Sequence, residues 1–306
     1  MRTLYWLVLS VLLQGYIHAQ DAGVSLRVLG NAQDGGVPHA GCQRSCCLPY
    51  YENPGEAPMV VSLGVTDHTS GQTYLFDAGP DLSRQLQLLA RHSGIALPSG
   101  IFITHAHIGH YSGLQFLGRE ALNAPGVPVY TMPRMHAFLE ANGPWEQLVR
   151  LGNIVLSPMQ EGREVALGPN LKVLPLMVPH RDEYSETVGY RITGPERSAL
   201  YIPDIDKWER WSETLEEQVR QVDYAFIDAT FYDAAEVGYR DISQIPHPLV
   251  SETIRRLAPL PAAEKAKVFF IHMNHTNPLL DPESPASARV EAAGFRIARQ
   301  GQVFSL

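Results

Sequence analysis

The segment Thr104-His105-Ala106-His107-Ile108-Gly109-His110 places three imidazoles within six positions, directly behind the apolar run Ile101-Phe102-Ile103. Side chains alternate between the faces of an extended segment, so His105 and His107 point to one side, and a turn just beyond them can swing His110 toward the same point. Three convergent neutral imidazoles suit Zn²⁺, or Fe²⁺ and Mn²⁺ when carboxylates join them. A set of ordinary core or surface histidines is the alternative, but packing alone seldom produces three at this spacing behind a strand. A chain that uses such a segment must end a buried strand there and bring its other ligands to that end.

The second half of the chain repeats the pattern of a strand ending in a ligand. Leu174-Pro175-Leu176-Met177-Val178-Pro179-His180 closes on a histidine, Ala199-Leu200-Tyr201-Ile202-Pro203-Asp204 on an aspartate, and Val268-Phe269-Phe270-Ile271-His272 on a histidine. Singly, each reads as a capping or loop residue. In this order, behind a Thr-His-x-His-x-Asp-His pattern that carries Gly109 in place of the Asp, they resemble the metallo-β-lactamase superfamily.

That resemblance implies an α/β chain folded as a four-layer αββα sandwich. It assigns His105, His107 and His180 to one metal, His110 and His272 to a second, and Asp204 to a bridge between them. The metals it implies are one or two Zn²⁺, with Fe²⁺ or Mn²⁺ as alternatives. Gly109 removes one carboxylate and should weaken the second position. Asp206 and Asp182 are candidates to replace it, and His275 competes with His272 as the last ligand.

Within the superfamily, four segments together are similar to the pyrroloquinoline-quinone biosynthesis protein B branch: the turn-rich loop Gly30-Asn31-Ala32-Gln33-Asp34-Gly35-Gly36-Val37-Pro38, the cluster of Cys42, Cys46 and Cys47, the run from His180 to Tyr190, and His272-Met273-Asn274-His275-Thr276-Asn277-Pro278. The similarity spans most of the chain, although the His motif here is fuller than is common in that branch. His247, which follows Asp228-Ala229-Thr230-Phe231, resembles a substrate-contacting histidine of superfamily phosphodiesterases. It would donate a proton to a leaving group or bind an oxyanion; a loop histidine held between turn residues is the other reading. Tyr111 and Arg181 are candidates to line the pocket, with Arg181 suited to an anionic substrate.

Cys42, Cys46 and Cys47 lie together, and an odd number in an exported chain leaves one thiol unpaired. Two readings stand: a disulfide, for which the vicinal pair has poor geometry, or a structural Zn²⁺ held by the three thiolates with His39. Several superfamily relatives carry a Cys-rich structural site near the N-terminus. Export itself is read from Met1-Arg2-Thr3, the apolar residues 4–13 and the small residue before Gln20, which form a secretory signal over residues 1–19. Ile17 is unusual at the third position before the cut, so an uncleaved anchor is the alternative. The mature chain, residues 20–306, is expected as one domain, soluble in the periplasm or secreted, with no membrane contact once the signal is cleaved.

Composition fits one sizeable core: 306 residues, 45% hydrophobic and 18% charged. A formal charge of −8 argues against a general attraction to nucleic acid or an anionic membrane, and the expected partner is a small-molecule substrate. Apolar stripes on the expected helices serve a core or a homodimer surface equally well. Alternation and apolar runs predict strands at residues 24–29, 60–66, 73–76, 100–104, 127–131, 165–167, 171–178, 187–192, 199–202, 224–228 and 268–271. Helices are expected at residues 82–92, 114–121, 133–141 and 249–257, and loops over residues 42–54, 151–164 and 228–248. The leading functional reading is an exported metal-dependent hydrolase acting on an ester or phosphodiester, with Asp204 orienting the attacking water. The alternatives are a mononuclear iron or zinc protein of the quinone-cofactor branch with oxygenase-like chemistry, and a metal-binding protein without turnover.

Overall fold

The central strands are buried along nearly their whole length, and this burial on both faces sets the architecture. In a computed structural model, residues 23–238, 241 and 244–306 are described, and the expected leader lies outside them. The first sheet contains β1 (Val24–Gly30), β2 (Ser62–Asp67), β3 (Gln72–Phe76), β4 (Gly100–Phe102), β5 (Val127–Thr131) and β6 (Ile154–Pro158). The second contains β7 (Val165–Ala166), β8 (Lys172–Met177), β9 (Val188–Thr193), β10 (Ser198–Ile202), β11 (Tyr224–Asp228), β12 (Val268–Ile271) and β13 (Arg296–Ile297). The last strand, β14 (Val303–Ser305), returns to the first sheet and pairs with β1. Both sheets follow one plan: antiparallel pairing through β3 or β10, then parallel pairing through β6 or β13.

The helices are α1 (Leu48–Glu52), α2 (Leu82–Ser93), α3 (Ile108–Tyr111), α4 (Pro133–Ala141), α5 (Trp145–Arg150), α6 (Leu215–Arg220), α7 (Val250–Leu257), α8 (Ala262–Lys265) and α9 (Pro285–Ala292). Because successive residues of a strand face opposite ways, each sheet serves two cores. Phe76 and Phe102 of the first sheet meet Tyr190, Tyr201 and Phe226 of the second between the sheets. Leu75, Ile101 and Val129 face outward onto Leu82 and Leu89 of α2 and Met135 and Leu139 of α4. Leu200, Ile202, Ile227 and Phe270 likewise face Leu215 of α6, Leu257 of α7 and Val290 of α9. The result is the four-layer αββα sandwich expected from the sequence.

Phe102 anchors the strand that precedes the imidazole segment. It is fully buried, stacked on Phe76 at 4.9 Å and on Tyr130 at 4.3 Å between ring centroids. Truncating such a side chain costs about 3–5 kcal/mol. Expectations about elements are corrected at four places, the first being the expected loop over residues 42–54, which contains α1. β4 ends at Phe102, two residues short of the expected bound at Thr104, with His105 and His107 in the loop beyond it. Residues 114–121 do not form an α-helix; a 3₁₀ turn covers Ser112–Leu117, where Gly113 packs so close to Gly79 that a Cβ would lie 2.0 Å from its carbonyl oxygen. The expected loop over residues 151–164 contains the edge strand β6.

Candidate metal centre

The ligands predicted for the two-cation centre lie beyond the carboxyl ends of strands or on the turn that follows, and these ends converge along one rim of the sandwich, as α/β sheets commonly arrange their sites. His105 and His107 follow β4, His110 sits on α3, His180 follows β8, Asp204 follows β10 and His272 follows β12. The donor atoms of His105, His107, His180 and Asp204 all lie within 4.8 Å of one another. A second group, His110, Asp204, His272 and Asp34, meets the same limit. Asp204 belongs to both, the position expected of a bridge.

The separations suit a small cation. Zinc held at about 2.0–2.1 Å by tetrahedral donors keeps those donors roughly 3.3 Å apart. Asp204 Oδ2 is 3.4 Å from His105 Nε2, 3.2 Å from His180 Nε2 and 3.9 Å from both His107 Nδ1 and His110 Nε2. His105 Nε2, His110 Nε2 and Asp204 Oδ1 are buried without a hydrogen-bond partner. Buried polar atoms without partners are costly, and the two imidazole nitrogens among these, both turned toward Asp204 Oδ2, fit a bound ion.

The outer nitrogen of each ring is held. Thr104 Oγ1 donates to Asp77 Oδ1 at 2.9 Å, leaving its lone pairs to accept from His105 Nδ1 at 3.0 Å. In the second half Thr230 Oγ1 donates to Asp228 Oδ1 at 2.7 Å and accepts from His272 Nδ1 at 3.0 Å. Asp77 Oδ2 takes His110 Nδ1 at 2.8 Å, Asp206 Oδ1 takes His180 Nδ1 at 3.2 Å, and Glu183 Oε2 lies 3.2 Å from His107 Nε2. His107 therefore turns Nδ1 inward and the other four turn Nε2. Asp77 and His272 both have a φ of +66°, a left-handed backbone that non-glycine residues rarely adopt and that clusters at functional sites.

Charge alternates across the cluster. Burial works against the imidazolium of His180, but Asp204 and Asp206 outweigh it and raise the pKa to about 9. Burial likewise opposes charge on His110, and the Asp77 and Asp34 carboxylates carry it well above its ordinary value. Burial, with His110 beside it, pushes His105 well down. Burial raises the Asp204 carboxyl, but His180 and His247 outweigh it and leave the pKa well below the usual range.

The remaining candidates separate clearly. His247 is buried beside the bridge, its Nδ1 3.0 Å from Asp228 Oδ2 and 3.1 Å from Asp204 Oδ1. Arg181 is exposed at the rim, 3.9 Å from Glu183. Tyr111 is a correction: it is buried in the outer core, 4.6 Å from the Trp145 ring, and packs there instead of lining a pocket. Asp206 and Asp182 do not fill the place vacated at Gly109, since Asp206 holds His180 and Asp182 accepts from Thr187 Oγ1 at 2.9 Å. Asp34 stands there, a residue that sequence reading treats only as part of a turn-rich loop. Ile108 and Tyr184 are each 62% exposed and adjoin His107 and Glu183 in sequence, giving the rim an apolar component.

His275 is not at this centre. Its Nδ1 lies 3.4 Å from Cys47 Sγ and 3.6 Å from Cys46 Sγ, and with Cys42 the four donors fall within 4.8 Å. All three thiols are free. His39, expected as the fourth donor, instead stacks on His275 at 4.4 Å and gives its backbone N–H to Cys47 Sγ at 3.3 Å.

A sandwich of two mixed sheets with histidine and aspartate clusters at its strand ends defines the class of β-lactamase-like proteins. Residues 72–273 match the β-lactamase superfamily domain, and the chain belongs to that superfamily. Within it the fold lies close to that of coenzyme PQQ synthesis protein B. The protein of that name from Nitrosococcus oceani is 28% identical over 311 residues, covering 90% of this chain and 98% of the relative. Zn²⁺-bound PqqB from Methylobacterium extorquens superposes with a TM-score of 0.76 at 22% identity, covering 92% of this chain and all of that one. A diphosphatase of the PhnP family superposes at 0.62, also at 22% identity, covering 93% and 97%.

Proposed function

We propose that this chain is a metal-dependent hydrolase that directs an activated water at an ester or phosphodiester-type small molecule. The observation that carries this reading is the sharing of Asp204 by two imidazole clusters, in which the buried His105 Nε2 and His110 Nε2 lack hydrogen-bond partners. Zn²⁺ or Mn²⁺ bound there supplies an acidified water at neutral pH and offsets charge on the attacked group. His105, His107 and His180 would hold one cation and His110 and His272 the other, with Asp204 between them orienting the water. His247 keeps Nδ1 on Asp228, which leaves Nε2 to give a proton to the departing oxygen. Arg181 is available at the rim for an anionic group. The likeness to a diphosphatase supports the phosphodiester branch of this reading. The three thiolates with His275 are proposed as a separate structural zinc site.

Likeness to coenzyme PQQ synthesis protein B over 90% of the chain favours one second reading, a mononuclear iron or zinc protein with oxygenase-like chemistry. Export belongs to the proposal too, and N-terminal sequencing of protein from a periplasmic fraction should find Gln20 first. Among the described residues no helix is long and apolar enough to cross a membrane.

The chain should be stripped with a chelator, reloaded with Zn²⁺ or Mn²⁺, and assayed on bis-p-nitrophenyl phosphate and p-nitrophenyl esters. Turnover should return with metal, and His247→Ala should lower kcat by about 10²–10⁴. Absence of metal-dependent turnover on all of them, together with an oxygen-dependent optical change after anaerobic iron loading, would replace the hydrolase with the second reading.

A further inference from the structure

We infer that Asp34 supplies the carboxylate of the His110–Asp204–His272 cluster, and that position 109 is glycine because Asp34 already fills the space a side chain there would take. Asp34 Oδ1 stands 3.0 Å from His110 Nε2 and 3.2 Å from His272 Nε2. Within the cluster His272 Nε2 meets Asp34 Oδ1 as a hydrogen bond, whereas the buried His110 Nε2, 3.0 Å from the same oxygen, lacks the geometry of one. An anionic oxygen facing two imidazole nitrogens and a second carboxylate is the donor set a divalent cation takes.

Exclusion at position 109 is steric. A Cβ there would lie 2.4 Å from Asp34 Oδ1, 2.5 Å from its Cα and 2.8 Å from its Cγ. Contacts that short require one backbone to move, and both are fixed. On one side a Cβ at Gly79 would meet the Gly109 carbonyl oxygen at 2.1 Å, so the turn into α3 has no room to retreat. On the other, the loop that carries Asp34 is bonded to the segment that leads into β2 and to the one that leaves β12. Ala32 N donates to Met59 O at 3.0 Å, Gln33 N to Met273 O at 2.8 Å and Met273 N to Asn31 O at 2.8 Å. Met273 follows His272, so the last two bonds register Asp34 directly against its partner imidazole. The carboxylate has thus been exchanged between segments: the loop after β1 delivers it, and the turn that opens α3 gives up its side chain.

This deepens the two-cation reading above and rests on it only in requiring a divalent cation at the cluster. The test uses the full chain, reloaded with Zn²⁺, with zinc per chain read by plasma emission and affinity by competition with a chromophoric chelator. Asp34→Asn keeps the size of the side chain and removes its charge. It should lose one zinc equivalent relative to the unaltered chain, or hold it roughly 10- to 100-fold more weakly. Gly109→Asp should lose zinc as well, because a Cβ at position 109 meets the Asp34 backbone as well as its carboxylate and displaces the loop that carries the ligand. Circular dichroism identifies any variant that fails to fold, and Asp34→Asn remains decisive if Gly109→Asp is one. Unaltered stoichiometry and affinity in Asp34→Asn would overturn the assignment, as would a folded Gly109→Asp that binds zinc as well as the unaltered chain. A chain that takes up zinc here and hydrolyses none of the esters would overturn the hydrolase reading alone.

Discussion

Each imidazole at the centre is fixed by the atom behind it, and this makes the carboxylates behind the rings as consequential as the rings. Asp77 is the most heavily used: besides His110 Nδ1 it accepts from Thr104 N and Oγ1 at 2.9 Å and from Tyr201 Oη at 3.0 Å. Asp77→Asn retains shape and tolerates the left-handed backbone, but sets an N–H₂ group against donors. It should weaken zinc binding by about 10- to 100-fold and cost roughly 1–3 kcal/mol of stability. Chelator competition and the thermal midpoint measure the two effects, and unchanged zinc affinity would show that Asp77 serves packing alone. At this scale the sequence is readable where chemistry is concentrated in a short stretch or repeated at strand ends. His105, His107 and His110 declare themselves by spacing, and His180, Asp204 and His272 by ending apolar runs. Asp34 does not, because between Gly30 and Pro38 it is one turn former among several, and only the folded chain brings it against Gly109.

Elements follow the same logic. Strands buried on both faces, such as β11 and β12, are legible as continuous apolar runs and have the expected bounds. The edge strands β6 and β14 are half exposed and carry too little pattern to be read. Helix α9 is announced by Ser284, whose Oγ accepts from Ser287 N at 3.1 Å ahead of Pro285, a cap that a search for apolar stripes passes over. Helix α1 is a different case, since it buries none of its residues. Beyond Tyr51 Oη donating to His39 O at 2.9 Å, the sulfur–imidazole cluster is what ties this segment to the loop that follows β12. With zinc there, Cys46→Ser or His275→Ala should each remove one chelator-resistant equivalent and expose residues 39–56 to protease. The His105–His110 centre should keep its metal. Limited proteolysis with metal analysis tests this, and equal resistance with unchanged zinc would mean the thiols carry no structural ion.

At the scale of the whole molecule, the centre is a seam. One cluster draws on the loop after β4 and on strand ends of the second sheet, and the other draws on the loop after β1, on α3 and on β10 and β12, so a cation at either ties the two sheets together. Metal that binds the folded chain and not the unfolded one must raise the unfolding midpoint as its concentration rises. The same linkage fixes the sign of the pH dependence. His180 has its pKa raised to about 9 in the metal-free fold, against an ordinary value near 6.5. Its charged ring therefore adds stability that is fully present below about 6.5 and is lost as pH rises through about 9. A ligating imidazole must be neutral, so protons oppose metal over that same window. The gap between zinc-loaded and metal-free unfolding midpoints should widen steadily from pH 6.5 to 8.5, with the metal-free form falling. Scanning calorimetry on both forms across that range reads it directly. A gap that stays constant or narrows would mean that the paired charges at His180 and Asp204 do not contribute to the metal-free fold, and that the sheets are joined by their shared core alone.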